Sequence, residues 1–171
     1  RDWSSDVCSS DLTTGYTLGG TGAGNYTLTQ PTLAANITAK ALTVSGLTGT
    51  SRTFDGTTTA SATGSASLVG IVSPDVVTLT GTPAYAFDTR DIGTAKTITT
   101  TGYTLGGTGA GNYTLTQPTL AANITAKALT VSGLTGTSRT YDGTTTASAT
   151  GSASLVGIVS PDVVTLTGTP A

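Results

Sequence analysis

Apolar and polar residues alternate along most of this chain in short runs, the pattern of β-strands with one buried face. Leu42 and Val44 alternate with Thr43 and Ser45. The same spacing recurs at Val77 and Leu79, Tyr85 and Phe87, Ile98, Tyr103 and Leu105, Tyr113 and Leu115, and Leu120, Ala122 and Ile124. No stretch repeats its apolar residues every 3.6 positions, so we expect no helix longer than one turn.

Turn-forming residues separate these runs, and the pattern changes phase at Gly102, where we predict a β-bulge. About seven short strands with Gly, Asn, Asp and Pro between them favour an all-β fold. Its expected architecture is a sandwich like that of immunoglobulin domains.

The pattern is also repeated as a whole. Residues 13–84 recur as residues 100–171, a period of 87 residues (100 − 13), with one change: Phe54 becomes Tyr141. Repetition suits a spacer or a multivalent binder better than a protein with one active site. A β-solenoid is the alternative architecture, but its shorter sub-repeat of roughly 20–30 residues is not visible within the 87.

Module boundaries follow from a second phase change. The apolar positions switch parity at Lys40-Ala41 and, one period later, at Lys127-Ala128. We therefore place one complete module at residues 41–126. Residues 13–40 are then the C-terminal part of a truncated repeat, and residues 127–171 the N-terminal part of a further one. Half modules lack their facing strands, so we expect them to fray or to pair with neighbouring edges.

The first twelve residues, RDWSSDVCSSDL, have no counterpart in either copy. Asp2–Leu12 resembles a translated sequencing-adapter oligonucleotide, so residues 1–12 are set aside as non-native. A native N-terminal arm is the alternative. The segment contains the only Trp and the only Cys, Trp3 and Cys8. Without it the net charge changes from 7 − 9 = −2 to 6 − 6 = 0.

Composition removes several function classes. A neutral, sparsely charged body has no basic patch for nucleic acid and no polybasic segment for lipid. No apolar run reaches the roughly 20 residues of a membrane span. Because the chain has no His and, beyond Cys8, no Cys, Ser–His and Cys–His catalysis are excluded.

A succession of short motifs resembles a known family. Tyr141-Asp142-Gly143-Thr144 and its variant Phe54-Asp55-Gly56-Thr57 each follow the run Leu-Thr-Val-Ser-Gly. Downstream come VTLT at 77–80, DIGTAKT at 91–97, GNYTL at 111–115 and NIT at 123–125. The order resembles the YDG-type repeats of bacterial surface proteins, especially filamentous-haemagglutinin-like adhesins. Phe54 in place of the Tyr, and Asn123 where an Asp is common, depart from that pattern.

The resemblance implies a tandem repeat of a secreted or cell-surface bacterial adhesin, with signal and anchor regions outside this stretch. The implied function is a non-enzymatic stalk or spacer whose partners are neighbouring repeats. The alternative is a weak multivalent module that binds host glycan or matrix protein. We expect no catalytic, cofactor or metal site, no nucleic acid and no membrane insertion.

Candidate chemistry is sparse. Asp88 and Asp91 flank Arg90, which predicts a loop salt bridge rather than paired catalytic carboxylates. Calcium between modules would need six to eight oxygens that no segment supplies. The glycine-rich run at 106–111 lacks the Lys and the helix of a phosphate loop, so a mobile hairpin connection is expected.

Side-chain modification offers further candidates. The N-glycosylation pattern occurs at Asn25, Asn36, Asn112 and Asn123. For Asn36 and Asn123, hydrogen bonding at a strand edge is the simpler role. A Lys–Asn isopeptide crosslink would involve Lys40 or Lys96.

The position shared by Phe54 and Tyr141 has a structural interpretation. We expect its ring to anchor the start of a strand against the core. The adjacent Asp55 and Asp142 are expected to be turn residues that accept hydrogen bonds from nearby backbone N–H groups.

Overall fold

The computed structural model describes residues 15–168, so the adapter-like segment lies outside the described part of the chain. The described residues form eleven strands and two single-turn 3₁₀ helices, Ala23–Asn25 and Ala110–Asn112. The prediction of an all-β fold with helices of one turn at most is confirmed. Within 15–168, no helix has the length and apolar character needed to cross a bilayer.

The strands follow the alternation of the sequence, with two additions. They are β1 Lys40–Gly49, β2 Arg52–Thr53, β3 Ala62–Val69, β4 Thr78–Thr80, β5 Ala84–Phe87, β6 Gly93–Thr101, β7 Thr104–Gly106, β8 Tyr113–Thr116, β9 Thr119–Thr125, β10 Thr130–Thr137 and β11 Ser148–Val156. Strands β2 and β3 were not predicted, because β2 is two residues long and β3 is largely Ala, Ser, Gly and Thr. Nine strands therefore lie between residues 40 and 125, where about seven were expected.

Four sheets contain these strands: β3-β1-β8, β2-β9-β6-β5, β4-β7 and β10-β11. Strand β8 runs parallel to β1, and β2 runs parallel to β9. The partners of a parallel pair are far apart in sequence, so alternation alone does not predict them.

The chain forms two compact units, and each has its own buried cluster. The first unit contains residues 15–44, 67–81 and 103–116. Its cluster consists of Leu42, Val77 and Tyr113, with Leu68 and Leu105 packed against it. Leu42 is fully buried.

The second unit contains residues 45–66, 82–102 and 117–168. Phe87, Ile98, Ala122 and Ile124 form its cluster. Partly buried residues pack around them, namely Phe54, Ala60, Tyr85 and Leu120. The large apolar residues of both clusters lie at positions that the alternation marked as inward-facing.

The phase change at Gly102 is a strand break. β6 ends at Thr101 and β7 begins at Thr104. Gly102 has φ +91°, a conformation that glycine adopts at little cost. A Cβ at this position would collide with the carbonyl oxygen of Thr82.

The glycine-rich run at 106–111 does not form the expected hairpin. It joins β7 to β8, and these strands belong to different sheets. The sequence could not show this, because a hairpin and a crossover use the same flexible residues.

Identical sequences fold differently inside the module at 41–126 and in the residues that flank it. Residues 103–126 contain β7, β8 and β9, whereas their copy at 16–39 contains only a 3₁₀ turn. The copy of β1 and β3 does form a hairpin, β10-β11. Within the flanking residues 15–39 and 127–168, strands therefore form only where the pairing strand is close in sequence, and the copies of β7, β8 and β9 stay irregular.

Candidate functional site

The turn at residues 52–57 is built from local contacts that its copy reproduces. The Oδ1 of Asp55 accepts hydrogen bonds from the backbone N–H and the hydroxyl of Thr57, both at 2.9 Å. Arg52 forms an ion pair with the same carboxylate. The copies Arg139, Asp142 and Thr144 make the same three contacts. The predicted turn role of both aspartates is confirmed.

These contacts stabilise the carboxylate form. The Thr57 N–H, and after it the Arg52 guanidinium, lower the pKa of Asp55 to about 2. The Thr144 N–H and then Arg139 lower the pKa of Asp142 below its ordinary value. Both carboxylates are therefore ionised near neutral pH, and the contacts that build the two turns are intact.

The aromatic residue of the turn packs only in the first copy. Phe54 lies against the second unit's cluster, and its backbone N–H donates to the Thr125 carbonyl at 2.8 Å. Tyr141 is 91% exposed. Phe54 packs against the core as predicted, but it follows the end of β2 and does not start a strand. For Tyr141 the predicted anchoring is wrong, because the strands that carry Phe87 and Ile98 have no second copy in the chain.

In the first unit, four residues form a tyrosine socket around Tyr113: Leu42, Val72, Asp75 and Val77. The ring is 8% exposed and belongs to the cluster with Leu42 and Val77. Its hydroxyl donates to Oδ2 of Asp75 at 2.8 Å and accepts from the Val72 N–H at 3.0 Å. Apolar contacts therefore hold the ring of Tyr113, and two hydrogen bonds hold its hydroxyl group.

The socket also affects the ionisation of Tyr113. The Val72 N–H, which donates to the phenolic oxygen, lowers its pKa. Burial and the Asp75 carboxylate together outweigh this effect, so the pKa of Tyr113 lies above its ordinary value. The phenol is therefore neutral and able to donate.

A cleft of about 280 Å³ in the second unit contains copies of all four socket residues. Its lining includes Leu129, Val159, Asp162 and Val164, each 87 positions after a socket residue. Phe54, Ile92 and Lys127 line it from earlier in the chain. The cleft thus combines a second tyrosine socket with Phe54 and Ile92, which precede the second copy, and with Lys127, the copy of Lys40.

Direct contacts join residues 41–126 to residues 127–168 at this cleft. An Nη of Arg90 lies 2.5 Å from Oδ1 of Asp162, and the Arg90 guanidinium lies 5.9 Å from the centroid of the Phe54 ring. Cγ1 of Val159 lies 2.7 Å from where a Cβ on Gly56 would stand, whereas a Cβ on Gly143 would have open space around it. The second copy therefore packs on the first copy's turn.

The predicted Arg90 salt bridge is wrong in its partner. Asp88 pairs with Lys96, whose Nζ lies 2.9 Å from its Oδ1, and Arg90 pairs with Asp162 instead. The Lys96 contact, and after it the Thr89 N–H, lower the pKa of Asp88. Neighbours in sequence suggested the pairing, but Lys96 lies close enough to compete for Asp88.

The remaining candidates have structural partners or lie exposed. Lys96 also donates to the Thr89 hydroxyl at 2.6 Å, and Lys40 is exposed at the start of β1. Oδ1 of Asn123 accepts the Ala95 N–H at 2.8 Å, so Asn123 has the predicted hydrogen-bonding role, but at an irregularity of β6 inside the sheet and not at a sheet edge. Asn36 is exposed outside the strands, and Asn25 and Asn112 end the two 3₁₀ turns. The sequence favoured neither crosslinking nor glycosylation, and the structure tests neither. Across residues 15–168, no three Asp, Glu, His or Cys side chains gather into a possible metal site.

Comparison with protein families accounts for most of the chain. The family model described as YDG domain matches residues 38–120 and 125–171, together 83 + 47 = 130 of the 171 residues. The chain belongs to the YDG domain family. No curated protein and no solved structure is significantly similar to it.

The YDG turns, residues 52–57 and 139–144, could be predicted from the sequence, whereas the tyrosine socket could not. The interacting residues of each YDG turn lie within a few positions of each other, so the motif can be recognised in the sequence. Tyr113 and Asp75 are 38 residues apart, and Arg90 and Asp162 are 72 apart. No local pattern marks either pair, and sequence analysis missed both.

Proposed function

We propose that this chain is part of a non-enzymatic stalk or spacer of a secreted or cell-surface bacterial adhesin. In this proposal YDG modules follow each other with an 87-residue period, each with the architecture of an immunoglobulin-like β-sandwich. Their partners are the neighbouring modules of the same chain. The resemblance to adhesin repeats and the near-identity of the two copies support the proposal.

The observation that carries it is the packing of the second copy on the first. A spacer must resist bending, which requires contacts between consecutive modules as well as a linker. Only residues 126–129 separate β9 from β10. The Arg90–Asp162 pair and the approach of Val159 to Gly56 restrain the chain beyond this short connection.

Length is the property that such an array would supply. A compact domain of 87 residues has a radius of gyration of about 12 Å, so each module extends a stalk by roughly 30 Å. Restrained junctions make the length grow in proportion to the number of modules, whereas flexible ones make it grow with the square root.

The test measures how narrowly the distance between the module at 41–126 and the following residues is distributed. Spin labels at Thr99 and Ser152, which are exposed, would be introduced after Cys8→Ser and their distance distribution measured by pulsed electron resonance. We expect a narrow distribution, broadened by Asp162→Ala because Arg90 loses its partner. Val163→Ala is the control, since Val163 is 89% exposed.

A distribution that is already broad, and that Asp162→Ala leaves unchanged, would mean freely jointed modules and would refute the stalk. Retention on host glycans or matrix proteins, with avidity that grows with repeat number, would favour the multivalent binder instead.

A further inference from the structure

The beginning and the end of the module at 41–126 run side by side in the same direction. Residues 40–43 pair in parallel with residues 113–116, and residues 52–53 pair in parallel with residues 124–125. The paired residues are 73 positions apart in the first set (113 − 40) and 72 in the second (124 − 52). We call this arrangement the parallel overlap, since its offset stays nearly constant along the whole length.

Further contacts hold the part of the parallel overlap that lies in the second unit. The Asn123 N–H donates to Oγ of Ser51 at 3.0 Å. A Cβ on Gly49 would stand 2.7 Å from the carbonyl oxygen of Ala121, so the two backbones approach each other closely there. Both contacts again join residues 72 positions apart (123 − 51 and 121 − 49).

The tyrosine socket holds the part that lies in the first unit. Tyr113 is the first residue of β8, and its ring packs with Leu42 of β1 and with Val77. Its hydroxyl is held by Asp75 and by the Val72 N–H. Sliding β8 along β1 would therefore pull a buried ring from its apolar contacts and break two hydrogen bonds.

The direction of the paired strands decides how they respond to tension. When the module is pulled by its two ends, force enters at the start of β1 and leaves at the end of β9. Since the paired segments are parallel, these are opposite ends of the parallel overlap, and the force acts along the strands on many hydrogen bonds together. In a hairpin such as β10-β11, the same pull would separate the pairs one after another.

We propose that the parallel overlap is a force-bearing clamp that keeps the module folded under tension, and that the tyrosine socket is its anchor in the first unit. The inference rests on the proposed stalk function, in which tension along the chain passes through every module. The clamp assigns a mechanical role to Tyr113 and Asp75, which neither catalysis nor ligand binding requires.

Pulling single molecules in two directions tests the clamp. The full chain carries Cys8→Ser and two new cysteines for the handles. Ala39→Cys with Ala128→Cys loads the parallel overlap along its strands, and both alanines are exposed outside the strands. Ala39→Cys with Gly111→Cys loads β1 and β8 from the same end, so that their pairs open one at a time. A Cβ on Gly111 has open space around it.

We expect the rupture force to be about two- to fourfold higher along the strands, because the evenly spaced bonds between residues 40–43 and 113–116 then share the load. Rupture of the module is recognised by its extension. The 89 residues between the handles (128 − 39) extend to at most about 290–320 Å.

Tyr113→Phe tests the anchor, because it removes the hydroxyl and keeps the ring. At constant force along the strands it should raise the rate of rupture about tenfold, which corresponds to about 1.4 kcal/mol. Tyr26→Phe is the matched control: it has the same sequence neighbours 87 positions earlier and is 74% exposed. It should change the rate less than about twofold.

Equal rupture forces in the two directions would overturn the proposal, and so would a Tyr113→Phe variant that ruptures no faster than Tyr26→Phe. Neither direction of pulling loads the contact between Arg90 and Asp162, because both handles precede β10. Equal rupture forces with a narrow spin-label distribution would therefore refute the clamp alone. A broad distribution with direction-dependent rupture would refute the stalk and support the clamp.

Discussion

Two isoleucines with identical sequence neighbours offer the sharpest test of this structure. Ile124 lies in β9, is 2% exposed and packs with Phe87, Ile98 and Ala122. Ile37, 87 positions earlier in the same sequence, is 82% exposed and lies in no strand. Substituting each by Ala changes the same side chain in the same local sequence, so any difference reports tertiary packing.

The magnitude follows from burial. Ile124→Ala removes three buried carbons, worth about 2.4 kcal/mol at about 0.8 kcal/mol each, and leaves a cavity that raises the loss to about 3–4 kcal/mol. An 87-residue module has a free energy of unfolding of about 4–13 kcal/mol. The midpoint of thermal unfolding should then fall by about 12–30 °C. Ile37→Ala should change stability by less than about 0.5 kcal/mol.

Urea and thermal unfolding followed by far-ultraviolet circular dichroism would measure both variants, at a concentration low enough to keep the chain monomeric. Equal losses for the two variants would mean that residues 15–40 are packed in solution. A negligible loss for Ile124→Ala would mean that the second cluster is not the core of its unit. Either result would refute the reasoning.

The other predictions also rest on single contacts. Gly102→Ala should lower the free energy of unfolding by about 2 kcal/mol or more, because φ is positive and the new Cβ meets the Thr82 carbonyl oxygen. Gly15→Ala is the control, because a Cβ there has open space around it. It should cost less, and equal costs for the two variants would contradict the clash. Because the pKa of Asp55 is lowered to about 2, its stabilising effect is present above the unfolded value of about 3.9. That effect is lost as pH falls towards 2, so urea midpoints should drop over this window and drop less in Asp55→Asn. Because the pKa of Tyr113 is raised, stability is complete below about pH 10 and falls as pH rises through the folded value; a Tyr113→Phe variant with an unchanged alkaline loss would disprove its origin in this phenol.

Part of the fold could be predicted from the sequence because it depends on residues that are close together in the chain. Alternation identified Leu42, Phe87, Ile98 and Ile124 as inward-facing, and all four are buried. Other parts of the fold could not be predicted in this way. The strand β3, the parallel pairings and the ion pair of Arg90 depend on residues brought together from distant positions.

The internal repeat separates these two kinds of information within one molecule. The YDG turns at 52–57 and 139–144 have the same hydrogen bonds, and the 3₁₀ turns Ala23–Asn25 and Ala110–Asn112 are alike, in the packed and the exposed copy. Side-chain bonds across two residues and single helical turns are satisfied locally, so the sequence by itself determines them.

Only the tertiary structure decided whether a segment of a given sequence became a buried strand. Tyr113 and Ile124 are buried in strands, whereas Tyr26 and Ile37 are exposed outside them. A strand needs a partner for its backbone N–H and C=O groups, and an apolar side chain needs surfaces that exclude water. Strand β1 and the first cluster supply both for Tyr113, and strand β6 and the second cluster supply both for Ile124. The described structure pairs no strand with residues 26–38.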